Sequence, residues 1–340
     1  MGIMTNGDVV PRDARVVFVG CGHEPPRRVC DVCKTSRHAF TACSLACLRA
    51  HQRAKHGSAL PADSELRARR TQAERNRRSP DVWNLFAEHR DRVQALLAAE
   101  GGGTLCVLGA GKCDDLDLPR LARQFSAIHL VDLDGDAMER ARDRQPSPVR
   151  AALVLHGDVD LSGLLEHLDD WGDAFPDEAT LHRAVFRAAR AISDALGGPF
   201  DVTLSTCVLS QLIVPFQIAW AASEETWAKL SAAITAIHVG TVVRATAPGG
   251  AASLVLDVLA SGDAPGLAAM KGRPALELRA LVDEWLRAGA VALQPDPAAL
   301  LTELRELAVC APPGPSSSEP WLWESGVATH LVYAVSFRKA

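Results

Sequence analysis

From residue 104 onward, short and nearly unbroken apolar runs alternate with longer stretches whose apolar residues recur every three to four positions. The runs at 104–109, 127–132, 151–156, 200–206 and 251–259 have the length and continuity of strands buried on both faces. The stretches between them predict helices at 116–125, at 137–144, up to 196 and across 209–246. Strand and helix in alternation predict a mostly parallel sheet covered by helices on both faces, an α/β architecture. Upstream, 80–100 predicts a helix: Ser79 can cap it, and Trp83, Phe86, Val93, Leu96 and Leu97 form its apolar stripe. Gly101-Gly102-Gly103 ends it.

Length and charge divide the chain. At 340 residues it exceeds what one core usually organises. Its 48% hydrophobic content is too high for a chain that stays disordered. Residues 1–80 carry 15 Lys and Arg against 7 Asp and Glu, and the rest carry 21 against 34, so a basic head precedes an acidic body. Five of the nine cysteines fall within 21–47. The first fifteen residues have no apolar run of signal-peptide length, which predicts a cytoplasmic, reducing setting where clustered cysteines bind metal rather than pair. The uncharged stretch 202–223 holds Ser, Thr, Gln and Pro and reads as a strand running into a helix, not a membrane span.

The head supplies four ligand pairs: Cys21 and His23, Cys30 and Cys33, Cys43 and Cys47, His51 and His56. Eight such ligands suit two tetrahedral zinc ions in closed, structural sites. A knuckle at Cys30–Cys33 followed by a helix from Ser44, with Cys47 and His51 on one face, is a treble-clef arrangement. The string from Ala42 to His51 resembles the HIT and MYND zinc fingers, which implies binding of a protein or peptide. Two partitions stay open: the four inner cysteines on one ion, or an interleaved cross-brace. Six arginines within 67–78 can track nucleic-acid phosphates, or can form a solvated linker helix facing the acidic body.

Ligands of such sheets bind at the carboxyl ends of the strands. There the first strand runs into Gly109-Ala110-Gly111, and the second ends at Asp132, placed to accept hydrogen bonds from both hydroxyls of a ribose. A dinucleotide site calls for a glycine at 114 and a bare helix end for the pyrophosphate. This chain has Asp114, Asp115 and Asp117 instead. Carboxylates repel a diphosphate but tolerate S-adenosylmethionine, whose ammonium and sulfonium are positive.

With that turn, Asp132, the segment Leu155 to Val159, the segment Pro199 to Leu212 and the segment Ala247 to Asp257, the body resembles class I S-adenosylmethionine-dependent methyltransferases. The resemblance implies a Rossmann-like sheet closed by an antiparallel strand at 329–337. It further implies a cofactor site formed by Gly109, Ala110, Gly111, Asp114, Asp132, Leu133, Asp158, Val159 and Thr206, with Asp158 on the adenine amino group. Val107 stands where the family often has an acid, and Cys113 replaces a glycine of its turn. Ser205-Thr206-Cys207 replaces the Asn-Pro-Pro-Tyr type of motif, which argues against a nucleobase acceptor. Candidate bases or orienting groups are His89, Cys207, Ser210 and Gln211, against the plainer roles of an exposed helix residue for His89 and packing for Cys207. Trp321 and Trp323 can wall a substrate pocket or pack the core.

The expected organisation is a tail (1–15), a treble-clef-like zinc finger (16–58), a basic linker (59–80) and a methyltransferase domain (81–340). A small molecule or a protein would be the methyl acceptor. A non-enzymatic adaptor on a retained scaffold, and transfer of the cofactor's aminocarboxypropyl group, are the competing readings.

Overall fold

The computed structural model describes residues 17–20, 28–29, 38–42, 64–78, 82–220, 222–262, 264–287 and 297–340. Strands β1 (Val17–Gly20), β2 (Arg28–Val29) and β3 (His38–Ala42) form a small sheet, with β3 parallel to β1 and antiparallel to β2. The eight predicted zinc ligands, Cys21, His23, Cys30, Cys33, Cys43, Cys47, His51 and His56, lie outside the described residues.

Eight strands build the main sheet: β4 (Thr104–Leu108), β5 (Ala127–Val131), β6 (Leu153–His156), β7 (Phe200–Thr206), β8 (Thr246–Ala260), the short β9 (Ser316–Ser317), β10 (Trp321–Glu324) and β11 (Thr329–Arg338). Their order is β10-β11-β8-β7-β4-β5-β6, with β9 pairing on β11. Strands β4 to β8 are parallel, and β11 inserts antiparallel between β8 and β10. This is a Rossmann-like mixed sheet with the closing antiparallel strand that the resemblance implied.

The period-2 alternation of side chains sorts the strands into two apolar layers. Cys106 and Leu108 face one core and Leu105 and Val107 the other, while on β11 Leu331, Tyr333 and Val335 face the first and Val332 and Ala334 the second. The helices of seven or more residues are α1 (Ser64–Arg78), α2 (Ala87–Leu96), α3 (Leu118–Gln124), α4 (Gly135–Asp143), α5 (Glu178–Leu196), α6 (Glu224–Ala245), α7 (Ala275–Arg287) and α8 (Pro297–Glu306). Helices α5 and α6 bury alanines and branched residues in the larger core, and Val93, Leu118, Leu121 and Met138 from α2 to α4 bury in the other.

Several predicted boundaries shift for local reasons. The helices expected across 209–246 are three, because Pro215 opens a second one at Val214–Ala219 and Ser223 caps α6 through the Thr226 N–H at 3.2 Å. The helix expected over 80–100 is confined to α2. The strand expected from 151 starts at Leu153, because Ser147–Ala152 is a helical turn with Pro at its start. Among the described residues no helix is long and apolar enough to cross a membrane.

Candidate functional site

Three parallel strands end at one cavity of about 230 Å³, lined by the turn after β4, the ends of β5 and β7, and the loop after β6. The turn is built by backbone geometry. Gly109 has φ +82° and Gly111 φ +48°, left-handed values that glycine adopts without strain. A side chain at Gly109 would also put its Cβ 2.4 Å from the Cβ of Val208. The N–H groups of Gly109 and Ala110 both reach the Val131 carbonyl, at 2.9 and 3.1 Å, which ties the turn to β5.

Asp132 locks this arrangement. Its Oδ2 accepts the Gly111 N–H at 2.8 Å and its Oδ1 accepts the Asp134 N–H at 2.9 Å, so the carboxylate is fixed at the cavity edge. Burial raises its pKa, partly offset by those two N–H groups. Each oxygen keeps a further acceptor direction.

The four acids after the glycine turn divide by role. Asp132 faces the cavity. Asp114 is buried in an ion pair with Lys112 at 3.0 Å. Asp117 is not a site group: it caps α3 by accepting the Arg120 N–H at 2.9 Å. Asp115 lines the cavity, hydrogen-bonded to Thr206, and burial pushes its carboxyl up to about 7. Lys112 is the sole basic side chain among the described lining residues. Helix α3 starts beyond the Cys113–Asp117 loop, with a proline in its first turn and the Arg120 N–H taken by Asp117, which makes its end a poor anchor for an anion. The cavity therefore favours a cation over a diphosphate.

Of the residues implied by the resemblance, Gly109, Ala110, Gly111, Asp114, Asp132, Leu133, Val159 and Thr206 all line this cavity. Asp158 does not. Its backbone is left-handed at φ +60°, which turns its side chain outward: the carboxylate is 89% exposed, and its carbonyl accepts from Arg69 at 2.9 Å. Asp160, two residues on, lines the cavity, but its oxygens are used to hold the loop through the Ser162 N–H and hydroxyl and the Leu165 N–H.

The candidate bases separate as well. Cys207 and Gln211 line the cavity, and the Gln211 amide donates to the Cys207 carbonyl at 3.0 Å. Burial and the nearby acids Asp257 and Asp115 push the Cys207 thiol well up, so it is a neutral group. His89 stands elsewhere and is buried rather than exposed. It stacks on Trp323 at 4.5 Å and accepts from the Trp321 indole N–H at 3.2 Å, and burial drops its pKa to about 3. It lines a second cavity, against Met270 and Lys271, and serves packing. Trp323 lines both cavities, while the buried Trp321 lines only the second.

Four residues escaped the sequence reading. Arg90 of α2 is buried, lies over the Trp83 ring at 3.5 Å, and donates to the Asp114 carbonyl at 2.8 Å, so α2 braces the glycine loop. Ser325, in the turn between β10 and β11, lines the far side of the cavity. Gln72 and Asn76 reach it from α1. An arginine on a helix and a serine in a hairpin carry no local signal of such use.

No protein-family model matches the chain, and no curated protein matches it. Among solved structures, the "DhpI-SAM-HEP complex" is 12% identical over 82% of this chain and 99% of that one, with a TM-score of 0.38. Magnesium protoporphyrin IX methyltransferase (ChlM) from Synechocystis PCC 6803 with bound SAH is 14% identical over 73% and 83%, with a TM-score of 0.35. The O-methyltransferase TomG from Streptomyces achromogenes in complex with SAM is 10% identical over 83% and 92%, with a TM-score of 0.36. Likenesses this distant say nothing about the reaction, and the chain's own cavity bears the functional reading.

Proposed function

We propose that the cavity binds S-adenosylmethionine and that the chain transfers a methyl group from it to an acceptor. The observation that carries this reading is the pairing of Asp132, fixed against the Gly111 N–H, with Asp115 in a cavity that lacks a diphosphate-binding helix end. The donor set fits the cofactor. Asp132 has acceptor capacity for a ribose diol, Leu133, Val159 and Leu161 give apolar walls for a purine, and Asp115 gives a counter-charge.

When bound, the cofactor supplies an electrophilic methyl group on a sulfonium. The chain's part is to hold it and exclude water, with the acceptor admitted on the side of Gln211, Pro215, Trp323 and Ser325. Orientation of two reactants can supply much of such a transfer, so a neutral Cys207 and a remote His89 do not count against it.

Isothermal calorimetry with S-adenosylhomocysteine, which keeps the ribose and ammonium, tests the binding half. Asp115 is largely protonated below its value of about 7, and the ammonium of the ligand pairs with the ionised form. Affinity should therefore rise from pH 6 to pH 8, by up to about tenfold. Asp115→Asn should flatten that profile and lower affinity at pH 8. An unchanged profile in the variant would remove Asp115 from the site. Methyl-labelled cofactor incubated with fractionated lysate tests transfer. Binding without label transfer would favour the adaptor reading, and a product heavier by an aminocarboxypropyl group the third one.

The N-terminal segment enters as a zinc-stabilised arm for a protein or peptide, on the strength of its eight Cys and His ligands. Protein purified without chelator should hold about two zinc ions per chain, and a content well below one would remove the arm's metal.

A further inference from the structure

Helix α1 has an unusual inward face. Ala68, Gln72 and Asn76 are spaced four apart and share one side of the helix. Ala68 packs on the larger core, while Gln72 and Asn76 line the cavity. A helix seated for stability alone would place large apolar residues on that stripe. Here it presents two carboxamides, while Arg67, Arg70, Arg75, Arg77 and Arg78 are exposed.

The attachments of α1 are polar, and they grip two loops that flank the nucleoside walls. Arg69, steadied by Glu65 at 2.7 Å, donates to the Asp158 carbonyl beside Val159. On the other side the Asn76 amide donates to Asp134 Oδ2 at 2.9 Å, the Asp134 N–H donates to Asp132 Oδ1, and Asp132 Oδ2 holds the Gly111 N–H. A hydrogen-bonded chain thus runs from α1 through the ribose acid to the glycine turn. The Gln72 carboxamide lines the cavity between these two grips and has no hydrogen-bond partner among the described residues.

We infer that α1 is a lid for the adenosine end of the cofactor: Gln72 hydrogen-bonds the bound nucleoside, and the Asn76–Asp134–Asp132 chain couples its seating to ribose binding. The inference rests on the cofactor reading of the cavity. Among the described side chains of α1 Ala68 packs on the core, and the helix is otherwise attached through the polar grips of Arg69 and Asn76, so its seating responds to what lies beneath it. Five of the six arginines are thus exposed on a helix whose Gln72 and Asn76 line the cavity.

The test is amide hydrogen exchange over 64–78 in the full chain at pH 8, with saturating S-adenosylhomocysteine, adenosine or L-methionine, beside calorimetry on Gln72→Ala and Asn76→Ala. S-adenosylhomocysteine and adenosine should each slow exchange of α1 about tenfold, and L-methionine should not. Each variant should bind S-adenosylhomocysteine about five- to twentyfold more weakly, with an unchanged melting temperature for Gln72→Ala. If the wild type binds S-adenosylhomocysteine while α1 exchange and Gln72→Ala affinity stay within twofold, the lid is wrong and the cofactor reading stands. If the wild type binds none, the cofactor reading fails and takes the lid with it.

Discussion

Asp132→Ala is expected to reduce S-adenosylhomocysteine affinity by about a hundredfold or more, measured by calorimetry at pH 8. Two charge-assisted hydrogen bonds to a ribose diol are worth about 1.5–3 kcal/mol each, which converts to that loss or a larger one. The side chain also holds the Gly111 and Asp134 N–H groups, so its removal loosens the turn that the ligand lies on. Asp132→Asn keeps acceptor capacity at one oxygen and should fall between, near tenfold. Asp158→Ala is the informative control. Its carboxylate is 89% exposed and turned away, so affinity should stay within about twofold. A matching loss in both alanine variants would mean that the loop after β6 turns inward on binding, and an unaffected Asp132→Ala would end the cofactor reading.

Gly109→Ala should carry the largest stability cost of any single methyl group added at the site. The new Cβ would stand 2.4 Å from the Val208 Cβ, and the residue would be held at φ +82°. Left-handed strain costs about 1–3 kcal/mol and overpacking a similar amount. Together they should lower the melting temperature by about 10 °C, read by calorimetric or fluorescence melting. Gly102→Ala isolates the strain, because Gly102 has φ +81° and nothing within 4 Å of an added Cβ. Its melting temperature should fall by no more than about half as much. Equal drops would mean that Val208 yields and that the close approach of the β7 turn to Gly109 is not needed for folding.

The parts of this fold that read well from the chain are those encoded locally. β4, β5 and β7 are buried on both faces and so show as apolar runs in any window that contains them. The second half of the body was less legible. β10 has only four residues, and the turn at Ser325 that brings it back to β11 places a cavity residue where the sequence shows only polar hairpin chemistry. His89 illustrates the other failure. On its own helix it looks like a surface group, yet Trp321, 232 residues away in sequence, donates to it, and Trp323 stacks on it.

What the sequence by itself determined is the alternation of strands and helices from β4 to β8, the glycine turn after β4, and an acid at the end of β5. Each depends on a run or a spacing within a few residues, where pleat, helical period and backbone freedom act directly. Only the tertiary structure decided which carboxylates serve the cavity. A left-handed backbone turns Asp158 out, a helix start consumes Asp117, an ion pair with Lys112 occupies Asp114, and Asp115 and Asp132 face inward. It also decided what closes the cavity, since Asn76 meets Asp134 across 58 residues of chain. Such contacts follow from how the layers pack, and packing joins residues whose separation in sequence carries no periodic signal.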